Sequence, residues 1–134
     1  MITNISRFLK EKGITPSVQR IEIMRFMLTH RTHPTVDDIY RELSKNIPTL
    51  SKTTIYNTLT LLCDKGAVIA FTTDDNITHY DGVVEKHAHF KCKNCGQIFD
   101  VPLPAINGSK PQGFDIQDVE VNYYGICPKC TEHQ

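Results

Sequence analysis

The sequence predicts an α+β chain: an N-terminal winged helix-turn-helix, then a small C-terminal α/β lobe carrying a four-cysteine zinc site. Three observations predict it. Apolar residues at helical spacing fill the first half, two short strand-like segments close that half, and two Cys-x-x-Cys pairs stand in the second. With 134 residues there is room for two small units but not two large ones, and the boundary is expected between 1–80 and 81–134.

Ile5, Phe8 and Leu9 stand at i, i+3 and i+4, and Gly13 supplies a stop, giving a first helix of about two to three turns. Thr15 and Pro16 restart the chain. Threonine can cap free N–H groups, proline can take the first helical position, and Val18, Ile21, Met24 and Leu28 supply the buried stripe of helix two. The third helix follows His33 and Pro34, with Thr35 as its cap, Asp37 and Asp38 complementing its dipole, and Val36, Ile39, Tyr40 and Leu43 at helical spacing. Pro48 separates it from a fourth, in which Ile55, Leu59 and Leu62 face inward.

The fourth helix opens with Ser51, Lys52, Thr53, Thr54, Tyr56 and Asn57, a face of hydroxyls, an amide and a lysine rather than the usual Glu/Lys mixture. Such a face suits phosphates and base edges in the major groove of double-stranded DNA, and equally a plain capped surface helix. Residues 67–72 and 77–80, joined by Thr73-Asp74-Asp75-Asn76, read as a hairpin that forms the wing. Net charge is zero, yet residues 1–66 carry 10 Lys/Arg against 6 Asp/Glu and residues 67–134 carry 5 against 9. A basic half can follow a phosphate backbone while an acidic half can hold cations. No apolar run approaches the roughly 18 residues of a membrane helix, and the first residues lack the pattern of a signal peptide, so a reducing cytosol and free thiols are expected.

Four of the five cysteines form the pairs Cys92/Cys95 and Cys127/Cys130, the tetrahedral sulfur set that zinc prefers in a closed structural site. Iron in the same tetrathiolate, as in a redox protein, is the competing reading. Cys63 falls on the inward side of helix four and reads as a small core residue. His87 and His89 stand two apart in an extended stretch and so share one face; Asp100 lies on the return strand, and Asp81 follows the wing. Together with His33 these make a five-ligand N/O set suited to Fe2+, Mn2+, Co2+ or Zn2+. A hydrolytic zinc enzyme is not expected, because no His-Glu-x-x-His occurs.

On four motifs the chain resembles the ferric uptake regulator (Fur) family of metal-dependent bacterial DNA-binding repressors. They are Thr15-Pro16-Ser17-Val18-Gln19-Arg20, His33-Pro34-Thr35-Val36-Asp37-Asp38-Ile39-Tyr40, Thr54-Ile55-Tyr56-Asn57-Thr58-Leu59 and His87-Ala88-His89-Phe90-Lys91-Cys92-Lys93-Asn94-Cys95-Gly96. The resemblance implies a cytoplasmic homodimeric repressor on an inverted-repeat operator, a C-terminal dimerisation lobe, and a regulatory metal at His33, Asp81, His87, His89 and Asp100. Aspartate at both carboxylate positions is similar to the peroxide-responsive (PerR) branch, which implies Fe2+ or Mn2+ there; Lys86 and Ala88 cannot supply the further metal site of many iron and zinc sensors. Residues 102–113, with three prolines and two glycines, depart from the family where it places a dimerisation helix, so packing through strands at 114–116 and 119–123 is expected instead.

Overall fold

The computed structural model describes residues 4–105 and 111–132. They divide into two units on either side of the Val84–Glu85 bond.

The first unit holds four helices and a hairpin: α1 (Ile5–Glu11), α2 (Val18–Thr29), α3 (Val36–Leu43), α4 (Lys52–Asp64), β1 (Ile69–Thr72) and β2 (Thr78–Asp81). Asn4 caps α1, and the chain turns away at Gly13, whose φ of +78° only glycine adopts cheaply. The cap of α2 is Ser17, not Thr15: the Ser17 hydroxyl accepts the Arg20 N–H at 3.2 Å, so Pro16 precedes the helix instead of starting it. Its buried face differs from expectation as well. Val18 is 72% exposed, while Ile23, Met24, Phe26 and Met27 are buried and Ile21 and Leu28 pack partly against them. Because α1, α3 and α4 all lie against α2, no single narrow stripe describes it.

Thr35 caps α3 as expected, and Asp38 returns the favour by accepting the Thr35 N–H at 3.0 Å, so the two form a capping box. Ser51 caps α4, whose Ile55, Leu59 and Leu62 are fully buried in one core with Leu9, Ile14, Ile23, Met24, Ile39 and Val68. Cys63 packs partly against that core, and burial pushes its thiol up to about 11, so it is a poor nucleophile near neutrality.

The wing is the antiparallel pair β1–β2, from Ile69 opposite Asp81 to Thr72 opposite Thr78. This ladder runs one residue past the expected hairpin, which puts Asp81 in the first unit rather than at the head of the second. Directly after it, a Cβ at Gly82 would come within 2.7 Å of the Met27 carbonyl oxygen, a backbone atom that cannot swing aside. Gly82→Ala is therefore expected to destabilise the first unit by about 1–3 kcal/mol, read as a lowered midpoint in urea unfolding.

The second unit is a three-stranded sheet in the order β4-β3-β5, with β3 (Ala88–Cys92) central, β4 (Ile98–Val101) antiparallel to it, β5 (Asn122–Gly125) parallel to it, and α5 (Pro128–Glu132) following. The strand expected at 119–123 is shifted to β5 because β3 sets the register, His89 opposite Asn122 and Cys92 opposite Gly125. No strand forms at 114–116, and residues 111–120 are all exposed. Within 102–113 the described residues form no helix, as the prolines require; residues 106–110 lie outside the described set. The only apolar side chains buried here among the described residues are Ala88, Cys92 and Cys127, too few for a core that stands without a staple. Among the described residues, no helix is long and apolar enough to cross a membrane.

Candidate functional site

The end of β3 and the start of α5 bring four sulfurs together. Cys92, Cys95, Cys127 and Cys130 each place Sγ within 4.8 Å of the others, and Cys95 and Cys127 are 3.9 Å apart. Sulfurs at ~2.3 Å from a tetrahedral zinc are about 3.8 Å apart, so the spacing fits that ion. The backbone is arranged for thiolates: the N–H groups of Cys95 and Cys127 both donate to Cys92 Sγ at 3.4 Å, and they hold its thiol down to about 6. Cys130 is pulled down by the Asn94 side chain, but contact with Cys127, burial, and contact with Cys92 and Cys95 outweigh it and push this thiol up to about 11. A divalent ion deprotonates every thiol that coordinates it, whichever way its neighbours shift that thiol.

The first unit contributes a buried pair. His33 and Asp81 are 6% and 3% exposed, with His33 Nε2 3.5 Å from Asp81 Oδ2, and Asp81 Oδ1 accepts the Val83 N–H at 2.8 Å. His33 takes a left-handed backbone conformation, φ 58°, a strain on the order of 1–3 kcal/mol in a residue that is not glycine.

In the second unit, β3 and β4 set His89 opposite Asp100. Asp100 Oδ1 lies 3.1 Å from His87 Nε2 and 3.5 Å from His89 Nε2, and the two Nε2 atoms are 3.0 Å apart. Two ligand atoms ~2.1 Å from one cation lie about 3.0–3.4 Å apart at tetrahedral to octahedral angles, so both clusters have the span a first-row divalent ion asks for. His87 Nδ1 is 2.7 Å from the Glu85 carbonyl oxygen, which only accepts. The ring proton is therefore on Nδ1, which leaves Nε2 with the lone pair a metal ligand needs, and this outer contact is one that ligating histidines commonly make.

The polar face of α4 is placed as expected: Ser51, Lys52, Thr53, Tyr56 and Asn57 are exposed and Thr54 is half-buried. Lys52 sits 3.0 Å from Asp37 and over the Tyr40 ring, an exposed pairing worth about 0–1 kcal/mol and readily exchanged for another anion. Thr54, Asn57 and Thr58 share a cleft of about 360 Å³ with Ser17, Gln19 and Arg20, so the start of α2 faces the same opening as the start of α4. Gln19 and Arg20 were not among the expected contacts. Nor was His79, although its place two residues before Asp81 on β2 is a period-two signal of the same kind that marks His87 and His89.

A winged helix joined to a lobe with a tetrathiolate and clustered His/Asp ligands defines the class of metal-responsive DNA-binding regulators. Residues 11–124 match the family model described as the ferric uptake regulator family, and the chain belongs to that family. The peroxide-responsive repressor PerR of Staphylococcus aureus strain Mu50 is 34% identical over 129 residues, covering 92% of this chain and 87% of its own. Among solved structures, PerR from Streptococcus pyogenes is 33% identical with a TM-score of 0.55, covering 95% of this chain and 90% of its own. The ferric uptake regulator Fur of Helicobacter pylori, 21% identical with a TM-score of 0.73 and coverage of 93% and 87%, shares the fold.

Proposed function

We propose that this chain is a cytoplasmic, homodimeric repressor whose hold on an inverted-repeat operator depends on Fe2+ or Mn2+ at His33, Asp81, His87, His89 and Asp100, and which senses peroxide when the metal is iron. Zinc at the four cysteines keeps the second unit folded throughout. The carrying observation is the division of the ligands. Two N/O groups stand in the first unit and three in the second, and neither set alone completes the five or six positions such ions favour. One ion shared by both sets ties two bodies that otherwise pivot about the chain after Asp81, and in a two-fold dimer that fixes the distance between the two α4 helices. Moving a population from 1:99 to 99:1 in favour of the DNA-competent form takes about 5.5 kcal/mol of differential binding, within the reach of several coordination bonds. The identity to PerR proteins and the aspartates at both carboxylate positions support the peroxide reading.

The test uses a duplex selected from a random pool by the Mn2+-loaded protein. Anisotropy titrations should show tight binding with Mn2+, weak binding with chelator, and weak binding at either metal level for His33→Ala and Asp100→Ala. Wild-type affinity in those variants, or in the chelated protein, refutes the metal switch.

On the same duplex Tyr56→Ala should lose about 1–3 kcal/mol of specific binding, the usual value of a base contact, through its exposed ring. Lys52→Ala should weaken all sequences alike and lower the salt slope by about one. Gel shifts that place both variants level with wild type would move the recognition surface off α4.

A further inference from the structure

We infer that His79 is a positioning residue for the regulatory metal, holding His33 in the backbone conformation from which its imidazole meets Asp81. The inference rests on the metal reading above and concerns contacts within the first unit alone. His33 is one of two non-glycine residues with positive φ among those described, a state that histidine adopts more often than most side chains but that is uncommon in any residue other than glycine. Its corner is held by two successive residues of β2: His79 Nδ1 lies 2.8 Å from the His33 carbonyl oxygen, and the Tyr80 N–H donates to the Pro34 carbonyl at 2.9 Å. A carbonyl oxygen only accepts, so Nδ1 of His79 carries the proton and donates it. The same strand carries Asp81 two residues on, so one short segment supplies both a ligand and the clamp that orients its partner ligand.

Packing reinforces the clamp. The Phe71 ring is stacked on His79 with centroids 5.5 Å apart and meets His33 edge-on at 5.8 Å, so β1 supplies an aromatic wall between the clamp and the ligand. Without the donor at His79 the corner relaxes toward negative φ, the ordinary state of a histidine, and the His33 ring turns from Asp81. The main core of the first unit does not include His79, so this loss leaves the fold standing.

Two replacements separate donation from packing. His79→Phe keeps an aromatic ring against Phe71 and removes the donor; His79→Asn loses the ring and keeps an N–H near the place of Nδ1. Mn2+ binding is read on the zinc-loaded full-length protein by the electron paramagnetic resonance signal of free Mn2+, and thermal midpoints are read without Mn2+. A positioning role predicts Mn2+ affinity about five- to tenfold weaker in His79→Phe and within about twofold of wild type in His79→Asn, with His79→Phe the more heat-stable of the two. Wild-type affinity in His79→Phe, or equal weakening in both, overturns the inference. His33→Ala serves as control: if it loses Mn2+ while His79→Phe does not, only the positioning role fails, and if it binds like wild type the metal reading falls with it.

Discussion

Cys92→Ser is expected to strip the zinc and unfold the second unit while leaving the first one helical, and Cys130→Ser to do the same less completely. The asymmetry follows from the backbone. Cys92 Sγ receives two N–H groups as well as the metal, so serine there removes a ligand and the acceptor that fixes both knuckles, whereas Cys130, the third residue of the five-residue α5, meets the Asn94 side chain. The size of the effect follows from the shortage of buried apolar residues in the second unit. Structural zinc contributes about 10–16 kcal/mol to small metal-held domains, more than a lobe with three buried apolar side chains among its described residues can hold in reserve. The first unit keeps its helices because its core, from Leu9 to Tyr80, contains no residue beyond Val84. Zinc content by mass spectrometry and amide hydrogen exchange of 88–101 and 122–132 check this together. A zinc-free variant with protected β3 amides would show that the cysteines do not staple the lobe, and a red wild-type protein would show iron in place of zinc.

Much of the fold was legible because local rules and tertiary packing agree in most of this chain. The α3 start is the clearest case: Thr35, two aspartates and an apolar run all point to one boundary, and the capping box is there. At the α2 start Thr15 was read as the cap with Pro16 as the first helical residue, whereas the Ser17 hydroxyl caps the helix two residues later. Its buried face was read too narrowly for a different reason: Ile21, Met24 and Leu28 pack inward and only Val18 does not, but a helix enclosed by three others also buries Ile23, Phe26 and Met27. The strand at 122–125 shows the limit of pattern reading in short segments. Apolar residues at 114, 116 and 119 suggested strands there, yet the pairing partner decides: β3 accepts 122–125 as its parallel neighbour and leaves 111–120 exposed.

The candidate ligands were legible for simpler reasons. Cys-x-x-Cys spacing encodes a metal knuckle, and residues two apart in an extended stretch share a face, which brings His87, just before β3, and His89 beside Asp100. His79 stayed hidden because its part is played through a backbone oxygen forty-six residues away in sequence, and no spacing rule announces a partner at that distance.

Hydrogen peroxide is expected to abolish DNA binding by the Fe2+-loaded protein and to leave the Mn2+-loaded protein bound. Fe2+ held by these residues would supply the reducing power that splits the peroxide O–O bond, one oxygen leaving as water and the other entering a ring C–H bond with the imidazole as net two-electron donor; Mn2+ would do so far less readily. The oxidisable carbons nearest to ligands at His33, Asp81, His87, His89 and Asp100 are those of the three imidazoles, since the carboxylates have none of comparable reactivity. An imidazole that has gained oxygen is a poorer donor. On the shared-ion reading proposed above, loss of His33 would leave the first unit only Asp81 as a ligand and loss of His87 would remove one of three in the second unit, so either would loosen the metal's hold. If the DNA-competent fraction then falls from near 0.99 to near 0.01, apparent operator affinity drops about 100-fold. The tetrathiolate should survive sub-stoichiometric peroxide, because zinc held by the four clustered sulfurs would be redox-inert and would have no open position. Peptide mass spectrometry of the iron form should find a gain of one oxygen atom on a fragment holding His33 or His87, with zinc content unchanged and no such gain in the manganese form. Intact operator binding and unmodified histidines in the peroxide-treated iron form would leave a metal-dependent repressor without peroxide chemistry. Early loss of zinc would instead move the sensing to the cysteines.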